Sequence, residues 1–253
     1  MTTPRCCGQM VLTSEDRTQN LKDTARLLFK GLAASYDRSL DYATLLQDRH
    51  WKSWVVEKAE PRKSQRILDV GCGTCVFEKL IEPFGCDILA LDLTEEMIRI
   101  GQEKTKGKGA GLVLGDAEAL PFEDSAFDTV ISAYVVKYCD PSTFVREMAR
   151  VTKPGGRLLF YDFVKPQGPL SPMLSFYVYG LLKVVYQFTA PINRDAAYTF
   201  EKLPGIIRET TWNVGILGQL RRVGLFVEER KIMGGGIVEA FACVKGSDAA
   251  PDS

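Results

Sequence analysis

The sequence is poor in histidine and carries no surplus of either charge. His50 is the single histidine in 253 residues, and 32 Lys plus Arg balance 32 Asp plus Glu. A multi-histidine metal centre and a histidine-based metalloprotease are therefore excluded within one chain, and no metal is expected. Binding nucleic acid chiefly by neutralising phosphates calls for a basic excess, so no nucleic-acid partner is expected either. No repeat is visible, and 45% hydrophobic with 25% charged residues is an ordinary globular composition, neither disordered nor collagen-like. No G-x-x-x-x-G-K-[ST] phosphate loop occurs. The seven cysteines, Cys6, Cys7, Cys72, Cys75, Cys86, Cys139 and Cys243, are odd in number and sparse, unlike a secreted disulfide framework. Cys72-x-x-Cys75 has no second C-x-x-C to complete a zinc site, and reads as part of a glycine loop. The stretch Met1–Asp16 is polar and lacks the apolar core of a signal peptide, so the expected location is cytoplasmic.

What is present reads as one large α/β domain, which a chain of this length can form and bury without staples. Residues 1–17 are expected to be a flexible leader and 247–253 a flexible tail. Leu21, Ala25, Leu28 and Leu32, then Leu45, Trp51, Trp54 and Val55, recur at helical spacing and predict an N-terminal helical cap over 18–60. From 61 to 246 the texture changes. Short apolar runs at Arg66–Val70, Asp87–Asp92, Gly111–Gly115, Phe127–Ala133 and Arg157–Asp162 alternate with amphipathic segments. Two further runs, Leu225–Ile232 and Ile237–Val244, follow a helix near 205–222. This alternation predicts a doubly wound, mostly parallel sheet of seven strands with a helical insert after the fifth, over about 165–204.

Within the insert, 170–190 is apolar nearly all round, with Lys183 as its one charge, and prolines at 169, 172 and 191 bracket it. A membrane-spanning helix between two strands of one sheet would destroy the domain. A helix apolar on every face must still be covered by something. It reads as a buried helix, as an apolar lid over an apolar substrate, or as a peripheral contact with a membrane surface.

The chemistry is concentrated at the ends of the early strands. Ile67-Leu-Asp-Val-Gly-Cys-Gly-Thr-Cys75 runs an apolar strand into a glycine turn and then a helix. Gly71 and Gly73 allow close approach of a ligand to backbone. Asp92 follows Gly71 by 21 residues, the spacing of a ribose-binding carboxylate in dinucleotide folds. Position 76 is Val where a pyrophosphate cradle needs a third glycine, so the ligand has a ribose but no diphosphate. Asp69 precedes the loop, where a carboxylate can orient it or attract a cationic head. Asp116 ends the third strand, where it can accept from an exocyclic amine such as that of adenine. A ligand with adenine, ribose and an ammonium-bearing chain suits all three acids.

Asp69-Val-Gly-Cys-Gly-Thr, Asp92, Gly115-Asp-Ala-Glu-Ala-Leu-Pro-Phe122, Phe127-Asp-Thr-Val and Arg150-Val-Thr-Lys-Pro-Gly-Gly-Arg157 occur in order over about 100 residues. Together they resemble the class I S-adenosylmethionine-dependent methyltransferases. The resemblance implies S-adenosylmethionine as cofactor, with Gly71–Thr74 around its methionine part and Asp92 on both ribose hydroxyls. Leu93 would pack on adenine, Asp116 and Ala117 would sit at its amine edge, and Ser132 and Ala133 would line the site. A narrower resemblance covers most of the chain. Leu28-Phe29 through Ala34-Ser-Tyr-Asp37, Trp51-Lys52, Asp162-Phe-Val-Lys-Pro166, Ala197-Tyr198 and Gly234-Gly-Gly-Ile-Val238 are similar to the ubiquinone/menaquinone biosynthesis C-methyltransferases. By that likeness Tyr36 closes over the cofactor, and Tyr198 with the 170–200 insert forms a pocket for an isoprenoid quinol precursor.

Two positions depart from that pattern. Val136 and Lys137 stand where those enzymes carry an Arg-Asn pair, and Cys75 stands where they carry glycine. Lys137, Tyr138 and Tyr198 are the candidates for orienting or deprotonating the acceptor. His50 matches no catalytic position and reads as a surface or packing residue. The expected activity is methyl transfer to a small lipophilic acceptor. A lipid headgroup amine, a natural product or a thiol remain as alternative acceptors, as does a non-catalytic, cofactor-binding subunit of a membrane-associated complex. A homo-oligomer is left open.

Overall fold

A computed structural model describes residues 14–106, 110–166, 169, 171–189, 191 and 194–247. The N-terminal cap comprises α1 (Ser14–Leu32), α2 (Tyr36–Ala43) and α3 (Gln47–Ala59). The domain follows as β1 (Arg66–Val70), α4 (Val76–Ile81), β2 (Asp87–Asp92), α5 (Glu95–Thr105), β3 (Gly111–Leu114), β4 (Phe127–Ala133), α6 (Pro141–Val151) and β5 (Thr152–Phe163). It closes with α7 (Ser171–Thr189), α8 (Arg194–Glu209), α9 (Ile216–Arg222), β6 (Leu225–Met233) and β7 (Val238–Lys245). The strands form one sheet in the order β3-β2-β1-β4-β5-β7-β6. β1 to β5 are parallel, and β7 inserts antiparallel between β5 and β6. This is the expected doubly wound architecture, and its order reverses between β1 and β4, the place where such sheets open a ligand crevice.

Local chemistry explains the elements. In β1 the residues Ile67, Leu68 and Val70 are fully buried, as befits a central parallel strand covered on both faces. α6 starts on Asp140, whose side chain accepts from the Thr143 N–H at 2.8 Å, with Pro141 as the next residue. Its Phe144, Val145 and Met148 are fully buried against Leu158 and Phe160, in the core on that side of the sheet. Each such side chain contributes about 1.5–3 kcal/mol of burial. The other face carries a second core in which Trp51, Trp54 and Val55 of α3 join Phe77, Ile81 and Tyr161. The cap is therefore part of the fold's core.

Four features differ from expectation. α1 begins at Ser14, ahead of Thr18, and the rest of the predicted leader, like the tail from Asp248, lies outside the described residues. The helix expected near 205–222 is two helices, because Gly215 takes φ +74° and Trp212 turns inward to donate to the Phe163 carbonyl at 2.8 Å. β5 starts at Thr152, earlier than Arg157, because Thr152 pairs with Phe127 at its near end. α7 buries Val178 and Leu182 on one side and leaves Met173, Phe176, Val184 and Phe188 exposed on the other, so the insert is neither fully buried nor fully covered. Among the described residues no helix is long and apolar enough to cross a membrane.

Candidate cofactor and acceptor sites

A cleft of about 650 Å³, its open mouth included, lies over the carboxyl ends of β1, β2 and β4. Its floor is the glycine turn. Gly71 and Gly73 have φ of +75° and +54°, and a Cβ on Gly71 would stand 2.1 Å from Val135 Cγ2. Only hydrogen fits there. Asp92 anchors the turn: one oxygen accepts from the Gly73 N–H at 2.8 Å, the other from the Thr94 N–H at 2.9 Å and hydroxyl at 2.6 Å. Burial raises the Asp92 pKa above its ordinary value, and these donors pull against that rise. Leu93, Met97, Ala25 and Ala117 supply an apolar slot beside it.

The arrangement fits an adenosyl ligand. It has a carboxylate with spare lone pairs at the ribose position, an apolar slot for a flat base and a backbone cradle for the amino-acid part. Of the residues expected around the cofactor, Gly71, Gly73, Asp92, Leu93, Asp116, Ala117, Ala133 and Tyr36 line this cleft. The Tyr36 ring lies over the turn, 3.8 Å from where a Gly73 Cβ would be, and packs edge-on against Phe29. Burial, then repulsion by Asp48, raises its pKa and keeps the phenol protonated.

Three expected residues do not face the cleft. Asp69 points beneath the loop, almost wholly buried, toward Glu78 and Cys75 of the α4 side. Thr74 donates its hydroxyl to Asp37 of α2, which also pairs with Lys104 of α5. Its role is to latch the cap to the loop. Ser132 turns its hydroxyl onto the Val70 carbonyl at 2.7 Å and ties β4 to β1. Asp116 does face the cleft, but Lys22 of α1 holds one of its oxygens at 2.7 Å and the Glu118 N–H the other at 2.9 Å. An adenine amine would share that carboxylate with Lys22.

A second cavity adjoins the first and shares Phe29, Tyr36, Tyr134 and Tyr138 with it. Leu40, Phe163, Phe200 and Leu203 complete an apolar wall, and among the described residues Lys137 is the one charged side chain in the lining. Lys137 is buried, donates to Asp162 at 2.8 Å and to the Tyr134 carbonyl, and lies 4.4 Å from the Tyr138 ring centre. Burial lowers its pKa, opposed by Asp162, while burial raises that of Asp162. Tyr198 does not line this cavity; it packs on the Ala25, Leu28 and Tyr138 cluster, and its neighbours Thr199 and Phe200 take the wall. The α7 segment also stays out of the lining, in contrast to the expectation for the 170–200 insert. His50 is exposed, as expected.

Sequence reasoning missed Tyr134, the partition between the two cavities. It has φ +65°, rare for a bulky residue, and its ring stacks on Phe163 at 4.9 Å. Its position just after Ser132 and Ala133 was the available signal. Its hydroxyl donates to Asp48 of α3 at 2.7 Å, and Tyr161 donates to the same oxygen at 3.0 Å. Lys52 holds the other oxygen of that buried carboxylate.

The comparisons agree with this geometry. Residues 68–160 match the model of a methyltransferase domain family. The fold is shared with a SAM-dependent methyltransferase from Aquifex aeolicus, at TM-score 0.53 and 18% identity over 76% of this chain and 88% of that one. It is shared also with geranyl diphosphate C-methyltransferase from Streptomyces coelicolor A3(2), solved with S-adenosyl-L-homocysteine, at TM-score 0.55 and 13% identity over 78% and 79% of the two chains. The protein is a class I S-adenosylmethionine-dependent methyltransferase.

Two curated relatives narrow the class. The ubiquinone/menaquinone biosynthesis C-methyltransferase of Pasteurella multocida (strain Pm70) is 34% identical over 186 residues, 70% of this chain and 69% of that protein. The enzyme of the same name from Yersinia enterocolitica is 33% identical over 70% and 74% of the two chains. The chain belongs to the ubiquinone/menaquinone biosynthesis C-methyltransferase family.

Proposed function

We propose that this enzyme transfers a methyl group to a ring carbon of a lipophilic, phenol-type acceptor such as a quinol precursor. The observation that carries the reading is the apolar second cavity, which adjoins the cofactor cleft through shared aromatic walls and, among the described residues, has no carboxylate in its lining. An amine acceptor would favour an acidic cup, and an apolar ring and tail favour this one. The names of the curated relatives point the same way.

The bound cofactor supplies a methyl group on a positively charged sulfur, and transfer to a neutral or anionic acceptor removes that charge. The chain's part is alignment and exclusion of water. Gly71, Gly73 and Asp92 would hold the cofactor, with Tyr36 closing over it. Tyr134 and Tyr138 would set the acceptor ring against it. A ring carbon is made nucleophilic by ionising the adjacent hydroxyl, and that proton needs an acceptor. Lys137, with its lowered pKa and Asp162 behind it, would orient that hydroxyl and take up its proton at Nζ.

A lipophilic acceptor resides in a lipid phase. The exposed side of α7, with Phe176 81% and Phe188 73% accessible, supports a peripheral contact of that helix with a membrane surface.

The test is turnover of the purified chain with S-adenosylmethionine and hydroquinones of increasing prenyl tail length. S-adenosylhomocysteine and the mass of the methylated ring are followed. Carbon methylation that improves with tail length is expected. Turnover confined to amines, thiols or lipid headgroups, or cofactor binding with no turnover on any acceptor, would overturn the reading.

A further inference from the structure

Beneath the cofactor loop lies a group of side chains that methyl transfer does not use. The Sγ atoms of Cys72 and Cys75 and a carboxylate oxygen of Glu78 all lie within 4.8 Å of one another. All three residues are buried, Cys75 completely. Among the described residues, no N–H or O–H group donates to either oxygen of Glu78 or to either oxygen of Asp69, which lies against Glu78. Two carboxyl groups at 3% and 1% exposure are thus without N–H or O–H donors. A buried carboxylate left so costs several kcal/mol unless a proton or a cation meets it. Burial raises both carboxyl groups, Glu78 to about 7, and the adjacent Cys75 thiol, then burial, raises the Cys72 thiol.

Packing for its own sake does not explain these residue types. Cys75 takes φ +61°, a conformation that glycine meets without strain, and its Sγ would clash with any Cβ on Gly101, at 2.5 Å. A strained thiol is thereby held against a second thiol and a donor-less carboxylate. The Gly73 carbonyl oxygen, which accepts from the Cys72 thiol at 3.9 Å, offers a fourth ligand atom.

We propose that Cys72, Cys75 and Glu78 form a binding site for one thiophilic divalent cation of the zinc type, with Asp69 as the carboxyl that holds Glu78 in place. Two sulfurs and a carboxylate at this spacing suit a four-coordinate ion with metal–sulfur bonds of about 2.3 Å. Binding displaces the thiol protons to solvent and leaves two thiolates and a carboxylate around the ion, with no redox change. Asp69, keeping its proton, donates to the outer oxygen of Glu78, the kind of support metal-bound carboxylates receive. Cys72 sits between Gly71 and Gly73, so the ion would pin the cofactor loop from below. The inference stands on these residues alone and is independent of the acceptor.

The test uses the full chain, reduced, stripped with a chelator and titrated with Co²⁺ as a spectroscopic stand-in for Zn²⁺. One ion per chain is expected, with thiolate-to-cobalt charge transfer and the visible bands of a tetrahedral site. Zn²⁺ should displace it and raise the melting temperature. Cys75→Gly, which relieves the backbone conformation, should remove both the bands and the zinc-dependent stabilisation. Glu78→Gln provides the same test without changing the loop, and Asp69→Asn should weaken the affinity roughly 10- to 100-fold. The double variant Cys6→Ser/Cys7→Ser should bind as the parent does. The proposal is overturned if no tetrahedral spectrum forms. It is equally overturned if the spectrum survives both Cys75→Gly and Glu78→Gln, or disappears with Cys6 and Cys7.

Discussion

The Tyr134 hydroxyl donates to Asp48 Oδ1 at 2.7 Å, joining residues 86 positions apart. One is on the cap helix α3, the other forms the wall between the cofactor cleft and the acceptor cavity. Asp48 also accepts from Tyr161 and pairs with Lys52, so one buried carboxylate sets three side chains. Asp48→Ala would leave a buried ammonium and two buried hydroxyls unpaired. A loss of about 3–5 kcal/mol is expected in urea unfolding. Tyr134→Phe removes one hydrogen bond and should cost about 1 kcal/mol. A smaller effect for Asp48→Ala than for Tyr134→Phe would contradict the network.

Asp92 should carry cofactor affinity. Asp92→Asn weakens the anchor of the glycine turn and the acceptor for ribose hydroxyls. Charge-assisted hydrogen bonds are worth about 1.5–3 kcal/mol each, so S-adenosylhomocysteine should bind roughly 10- to 100-fold more weakly by calorimetry. The pKa of Asp92 is raised by burial, so the carboxylate takes a proton at a higher pH than an exposed aspartate does. Parental affinity should therefore fall on acidification from above the ordinary carboxylate range. Asp92→Asn should be flat through that window. Equal affinity of the two proteins at neutral pH would remove Asp92 from the site.

Lys137 should act on turnover with cofactor affinity unchanged. If its neutral amine takes the acceptor proton, kcat rises with pH through a value below the usual lysine range, because burial lowers the Lys137 pKa. Lys137→Gln should reduce kcat about 100-fold or more and abolish that rise, with S-adenosylmethionine binding unaltered. An unchanged pH profile in Lys137→Gln would restrict the residue to packing against Asp162.

The exposed side of α7 makes a separate prediction. Phe176→Ser combined with Phe188→Ser should reduce co-sedimentation with phosphatidylcholine vesicles. Turnover of a short-tailed, water-soluble hydroquinone should stay at the parental rate, since neither residue lines the acceptor cavity. Parental vesicle binding by the double variant would rule out this face as the membrane contact.

The class and the cofactor were legible because their signals are local. Ile67–Thr74 carries strand, turn and helix start in one continuous segment, and Asp92 and Asp116 follow at the ends of strands that alternation alone locates. The acceptor side was less legible. Tyr198 has a family-like neighbourhood but sits behind Tyr138, and the residues that line the cavity come from α1, α2, the segment after β4, β5 and α8. No spacing rule links segments that meet only after the sheet has closed.

The same division runs through the acids. By itself the sequence determined that three aspartates stand at successive strand ends of a methyltransferase sheet, because strand period and turn chemistry act over a few residues. Only the tertiary structure decided their separate tasks. Asp92 faces the cleft. Asp116 faces it with Lys22 attached, from 94 residues away, and Asp69 turns under the loop toward Glu78 and the paired thiols. Which partner a strand-end carboxylate meets depends on how the cap and α4 pack across the sheet, and that packing is set by contacts between segments far apart in the chain.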